Sequence, residues 1–310
     1  MSLGVGVFGK LPASAEFIRI GARSDTERSF ERWLEAANDA LSSAGGELSG
    51  STVGFAYRDA DARSVLIGVM RGSIDKVGRR FPLTIYCEFG VLRDRTRVSI
   101  LADACRRELV AFSKTARMAS SLTPSDFRGR VAALSRPSVS AVRAAITGKN
   151  VGGWRDLDVE TLVRRTCPRV DDRAYSIQVL QRLCTVCAHQ PSRSGFAIDV
   201  STGSDAELSF WLAMMESQLP ASHGPVSAFW DVRALRTLLF PNDVDARTLC
   251  AIAQRGLDER KVWRALPSSN SAADDAWLRV PRSLELALRQ ASTVTAGQLL
   301  AIMQACRAER

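Results

Sequence analysis

The sequence predicts a mixed α/β (α+β) fold: an antiparallel-leaning central sheet flanked by helices, followed by a helix-rich second part with a few short strands. Three observations predict it. Segments of strand-like hydrophobicity are concentrated before residue 90. The middle ones are joined by hairpin-length links, too short for the helical crossover that a parallel pair requires. After Pro124, apolar residues recur mainly at helical spacing. The 310 residues divide into an α/β domain over 1–122 and a helix-rich part over 123–310, packed on or beside it.

The elements follow in order. Val5 and Val7 alternate with glycines over Gly4–Gly9, a short opening strand, and a loop carrying Pro12 comes next. Ser24 with Glu27 forms a capping box, and Phe30, Trp33, Leu34, Ala37 and Leu41 make one helix face that Gly45-Gly46 ends. Val53, Phe55 and Tyr57 alternate in a strand over Ser51–Arg58. The segment Arg58–Arg63 reads as a turn, and the continuous apolar run Ser64–Met70 as a central strand. The loop Arg71–Arg80 leads to a strand over Phe81–Phe89, with Leu83, Ile85, Cys87 and Phe89 on one side. Residues 98–118 read as one helix with Ile100, Leu101, Cys105, Leu109 and Phe112 inward.

In the second part, Ser135–Pro137 and Gly148–Gly153 are breaks and Tyr175–His189 is a helix stopped near Pro191. A strand over Phe196–Val200, a helix over Leu208–Leu219 and a strand over Ser227–Trp230 follow. Beyond Asp231 only helices are expected, the last opening at Thr295 with Gln298 as a second capping box.

Composition is that of an ordinary globular protein, 46% hydrophobic and 24% charged. No run approaches the ~18 apolar residues of a membrane helix, and MSLGVGVFGKLP lacks the basic start and long apolar stretch of a secretory signal, so a cytoplasmic location is expected. The seven cysteines show no framework and read as free thiols of a reducing compartment. The net charge of +9 comes from basic residues scattered among acidic ones, which favours solubility and acidic partners over specific nucleic-acid binding.

Several motifs invite chemistry and fail its requirements. Gly4-x-Gly6-x-x-Gly9 lies inside the opening strand instead of between a strand and a helix, where a dinucleotide fingerprint belongs. Thr147–Asn150 lacks the first glycine and the hydroxyl residue of a P-loop. Cys184-x-x-Cys187 sits on an amphipathic helix with both thiols inward beside Leu180, and a tetrahedral zinc site would need two further ligands. With only His189 and His223 available and no Gly-x-Ser-x-Gly, a Ser/Cys–His mechanism has few bases. No catalytic residue, metal or cofactor is therefore expected. The pairs Phe210-Trp211 and Phe229-Trp230 read as core.

Two stretches are too particular for chance: Val7-Phe-Gly-Lys-Leu-Pro12, with Glu16-Phe17 and Trp33-Leu34 after it, and Gly72-Ser-Ile-Asp-Lys-Val-Gly-Arg-Arg-Phe-Pro-Leu-Thr84. Together they resemble the TagF (ImpM) family of type VI secretion-associated proteins, best over residues 3–120 and more weakly over 208–260, where Val226–Asp231 carries the likeness. The family's Gly-Asp-Phe is here Ala15-Glu16-Phe17. The resemblance implies a non-enzymatic accessory protein encoded beside the secretion apparatus. It further implies post-translational repression through a forkhead-associated scaffold component.

Read physically, Ser73 and Asp75 suit a pinned turn, Gly78 a positive φ, and Pro82 the start of the next strand. Arg79 and Arg80 then stand on a rigid loop, their guanidinium forks suited to carboxylate or phosphate. Two readings stay open at this point. The loop is architectural, with Arg79 paired to Asp75 or Glu16, or it docks a partner through Lys10, Pro12, Glu16, Ser73, Asp75, Arg79 and Arg80. The alternatives to a binding protein are an enzyme acting on a phosphorylated or acidic substrate through Arg79 and Arg80, and a weak nucleic-acid binder.

Overall fold

The computed structural model describes residues 4–21, 24–48, 50–58, 64–90, 97–135, 137, 142, 153–190, 194–231, 235–253 and 260–308. The expected turn at 59–63, the string Thr147–Asn150, Arg136, residues 148–152 and Pro191 lie outside them.

The expected mixed architecture is present: one nine-stranded sheet, antiparallel except for a single pair, with eleven α-helices among the described residues. The strands are β1 (Val5–Lys10), β2 (Phe17–Ile20), β3 (Thr52–Arg58), β4 (Ser64–Arg71), β5 (Leu83–Gly90), β6 (Ala197–Val200), β7 (Ser227–Asp231), β8 (Arg236–Phe240) and β9 (Val262–Arg264). Their spatial order is β2-β1-β5-β4-β3-β7-β8-β6-β9. The sheet thus crosses residue 122 without a break: β3 pairs with β7, setting Phe55 opposite Phe229.

One face is covered by α1 (Asp25–Ser43) and α8 (Thr248–Ile252). Its core joins Phe30, Trp33 and Leu34 of α1 to Phe55, Tyr57, Leu66, Tyr86 and Phe229 of the sheet. The capping box that starts α1 is formed as the sequence indicates: Glu27 N–H donates to Ser24 Oγ at 3.0 Å, and Ser24 N–H to Glu27 Oε2 at 2.9 Å. The opposite face carries α2 (Val98–Ala104), α3 (Arg106–Met118) and α4 (Pro124–Ala132) over the first five strands' end of the sheet. Beside them pack α5 (Val159–Val163), α6 (Asp172–His189), α7 (Asp205–Gln218), α9 (Asn270–Trp277), α10 (Arg282–Arg289) and α11 (Ala296–Ala308). Both expected aromatic pairs are core: Phe210 and Trp211 of α7 are fully buried, and Phe229 and Trp230 nearly so. The second capping box also forms, with Thr295 N–H donating to Gln298 Oε1 at 2.8 Å.

Four local expectations need correction. The segment after Asp231 is not all helix, because β8 and β9 lie there. Leu238-Leu239-Phe240 is an apolar run buried on both faces, which periodicity cannot separate from a helix; its hairpin with β7 decides it. The loop after Pro12 contains β2, whose Ile18 and Ile20 alternation spans only four residues. The helix over 98–118 breaks at Cys105, whose φ of −94° and ψ of 3° end α2 before α3 begins. Ile100 and Leu109 are accordingly only half-buried.

Candidate functional site

The two motifs meet at one end of the sheet. The end of β1 approaches the loop between β4 and β5 so closely that a Cβ on Gly9 would stand 2.1 Å from the Pro82 carbonyl oxygen, and Gly9 has φ 140°. Glycine there is a packing requirement. It delivers Lys10, 4% exposed, beneath the loop.

Asp75 is the centre of the loop. Its Oδ1 accepts the backbone N–H groups of Val77 at 3.0 Å and Arg79 at 2.8 Å, and its Oδ2 accepts Lys10 Nζ at 2.7 Å and Arg79 Nε at 2.8 Å. The side chain is fully enclosed by these donors. Burial pushes the Asp75 carboxyl up, but the hydrogen bonds from Lys10, Arg79 and Val77 outweigh it and hold the group well below the usual carboxylate range. Gly78 turns the chain with φ 87°, as expected, and the Phe81 N–H closes the loop onto the Ser73 carbonyl at 3.0 Å. Ser73 contributes through its main chain; among the described residues its hydroxyl forms no turn bond, contrary to expectation. The Lys76 N–H donates to the Ser14 carbonyl at 3.1 Å, and the Arg79 guanidinium and Lys10 both reach the Ala15 carbonyl. The loop is thereby tied to the β1–β2 turn, where Pro12 is half-buried and Glu16 exposed.

The seven expected residues therefore come together but play different parts. Lys10 and Asp75 are interior, and they brace the loop from below. Arg79 is held by Asp75 yet keeps its side chain 58% exposed. Arg80 is 61% exposed and pairs across the surface with Glu47, itself 57% exposed. Sequence reasoning missed the apolar component of this tip. Ile74, Val77 and Phe17 are 48%, 62% and 41% exposed. Phe17 stacks on Phe8 with ring centroids 5.5 Å apart, meets Phe81 edge-on, and has Lys10 Nζ 4.4 Å from its ring centroid. The available signal was the placement of Ile74 and Val77 in a turn where polar residues are the norm.

The other flagged residues lie apart. All seven cysteines are buried, Cys184 and Cys187 among the packed helices, where burial pushes the Cys184 thiol up. His189 is on the outside of the same helix, its Nδ1 2.8 Å from the Thr185 carbonyl oxygen. His223 is half-buried against Asn242, at 2.9 Å, and its pKa is lowered by burial and by nearby Arg58. Among the described residues no group of three or more His, Cys, Asp or Glu side chains is placed to hold a metal ion, and no helix is long and apolar enough to cross a membrane.

Residues 6–134 match the family model of the TagF N-terminal domain, described as type VI secretion system-associated. Among solved structures, the chain is similar to PA0076 from Pseudomonas aeruginosa PAO1 at 22% identity and a TM-score of 0.34, over 48% of this chain and 78% of that one. No curated protein sequence matches the chain.

Proposed function

Taking as premise that residues 6–134 form a TagF N-terminal domain, type VI secretion-associated, we propose that this chain is a non-enzymatic cytoplasmic accessory protein of that system that acts by binding another protein. The partner is a component of the secretion system. A forkhead-associated scaffold protein is the one the family resemblance suggests, and repression after translation is the effect.

The observation that carries this reading is the exposed tip of the Ser73–Phe81 loop. It presents Val77, Ile74 and Phe17 beside Arg79 and Arg80 on a base fixed by the buried Lys10–Asp75 pair. A rigid, mixed apolar and arginine surface has the character of an interface hot spot, and its immobilised loop has little conformational entropy left to lose on binding. Arg80 is well suited to exchange: its ion pair with Glu47 is solvent-exposed, so replacing Glu47 with a partner's carboxylate sacrifices little.

The test is recovery of type VI components from the native cytoplasm by the tagged wild type and by Val77→Asp/Arg80→Glu. Both substituted side chains are exposed and outside the bracing network, so the variant folds. Co-recovery with the wild type and loss with the variant support the reading. Equal recovery by both places the contact elsewhere.

A further inference from the structure

A second surface lies at the far end of the sheet from this loop, five to six strands away, or roughly 25 Å at ~4.8 Å per strand. There β9 forms the sheet edge, with no strand beyond it among the described residues. Ala197 N–H donates to the Lys261 carbonyl at 2.9 Å and Ala265 N–H to the Asp199 carbonyl at 3.2 Å. These bonds bracket β9 and set the alternation of its parallel ladder with β6, which turns the Val262 peptide groups away from β6. Beside this edge runs an open groove of about 1220 Å³ between α6, α9 and the residues following β9. That exceeds the ~300–1,000 Å³ of a small-molecule site and suits a length of chain.

The lining has a definite chemistry. Trp263 is half-buried and Leu266 is 43% exposed, which gives apolar footing along the groove. Arg182 of α6 and Arg279 just after α9 also line it, both exposed. Neither forms an ion pair among the described residues, although Arg19, Arg79, Arg80, Arg169, Arg236 and Arg289 all do. Asp275, the one carboxylate in the lining, lies beyond ion-pair distance of both. Arg182 and Arg279, over the apolar Trp263 and Leu266 and next to a strand edge with no further strand among the described residues, complement an extended segment that carries both acidic and aliphatic side chains.

We propose that this groove binds such a segment of a partner protein by strand addition to β9, its main chain pairing at Val262 and its acidic side chains meeting Arg182 and Arg279. β9 has only three residues, so ladder bonds alone give little affinity and the side-chain contacts set specificity. The site is independent of the Ser73–Phe81 loop.

The test is selection of a random octapeptide display library on the intact protein, followed by anisotropy titration of the synthetic consensus peptide. Enriched sequences combine acidic and aliphatic residues at strand-like spacing. Binding of the consensus falls about tenfold or more in Arg182→Glu/Arg279→Glu, and similarly when alternate peptide nitrogens are methylated to block strand pairing. It stays within about twofold in Val77→Asp/Arg80→Glu, the variant that tests the other site. The proposal is overturned by an absence of enrichment, by basic or helically spaced consensus sequences, or by indifference to the arginine reversal or to methylation.

Discussion

Lys10→Met probes the support beneath the loop. The substitution keeps the length and apolar body of a side chain that is 5% exposed, but removes the ammonium that donates to Asp75 Oδ2 at 2.7 Å. Breaking a buried ion pair from one side costs ~3–5 kcal/mol when the remaining charge is left alone. Here Arg79 Nε still donates to the same oxygen at 2.8 Å, so the charge is not abandoned and the cost of Lys10→Met is about 2 kcal/mol. The assay is equilibrium urea unfolding at pH 7, repeated down to pH 3. The depressed pKa of Asp75 gives stability that is present above the ordinary carboxylate pKa and lost as pH falls below about 4. Down to pH 3 both proteins lose stability together as the unfolded state takes up a proton, and they converge only in stronger acid, where the native Asp75 is protonated too. Lys10→Met with Asp75→Asn destabilises by less than the sum of the single changes. A variant within ~0.5 kcal/mol of wild type at pH 7 refutes the idea that this pair fixes the loop.

Three further outcomes follow. Glu216 accepts Val98 N–H and Ser99 Oγ–H at the start of α2, both at 2.5 Å, and burial raises its pKa from 4.5 to about 7. Its native state binds the extra proton, so its contribution is greatest below about pH 4.5 and falls by roughly 3 kcal/mol as pH rises to about 7; Glu216→Gln flattens the dependence of Tm on pH and raises Tm at pH 8. Gly9→Ala forces a Cβ against the Pro82 carbonyl at a φ of 140°, costing about 3 kcal/mol in chemical denaturation. Ellman's reagent titrates all seven thiols after denaturation but fewer than about one within minutes in the native protein, because every cysteine is buried.

The sequence made β1, β3, β4 and β5 and both capping boxes legible because those signals are local: a period of two in Val53, Phe55 and Tyr57, and Ser24 three residues before Glu27. β9 escaped because its order comes from β6, distant in the chain, and β8 because its continuous apolar run carries no period of two. The pairing of Arg79 with Asp75 was one of two readings open from the motif, and it is formed. The burial of Lys10 was not legible, since it depends on Gly9 allowing β1 to approach Pro82. Nor was the link from Arg80 to Glu47, which lie far apart in sequence and meet only across the folded surface. The lower side of the loop is architecture, as the first of the two readings has it, and its upper side is exposed.

That exposed side is tested most directly by placing a photocrosslinking p-benzoylphenylalanine at Val77, 62% exposed at the tip, in cells that assemble a type VI system. The account predicts a light-dependent adduct with a component of that system, identified by mass spectrometry and abolished by Arg80→Glu. An absence of adducts at position 77, with the same component captured from a probe on another face of the molecule, contradicts it.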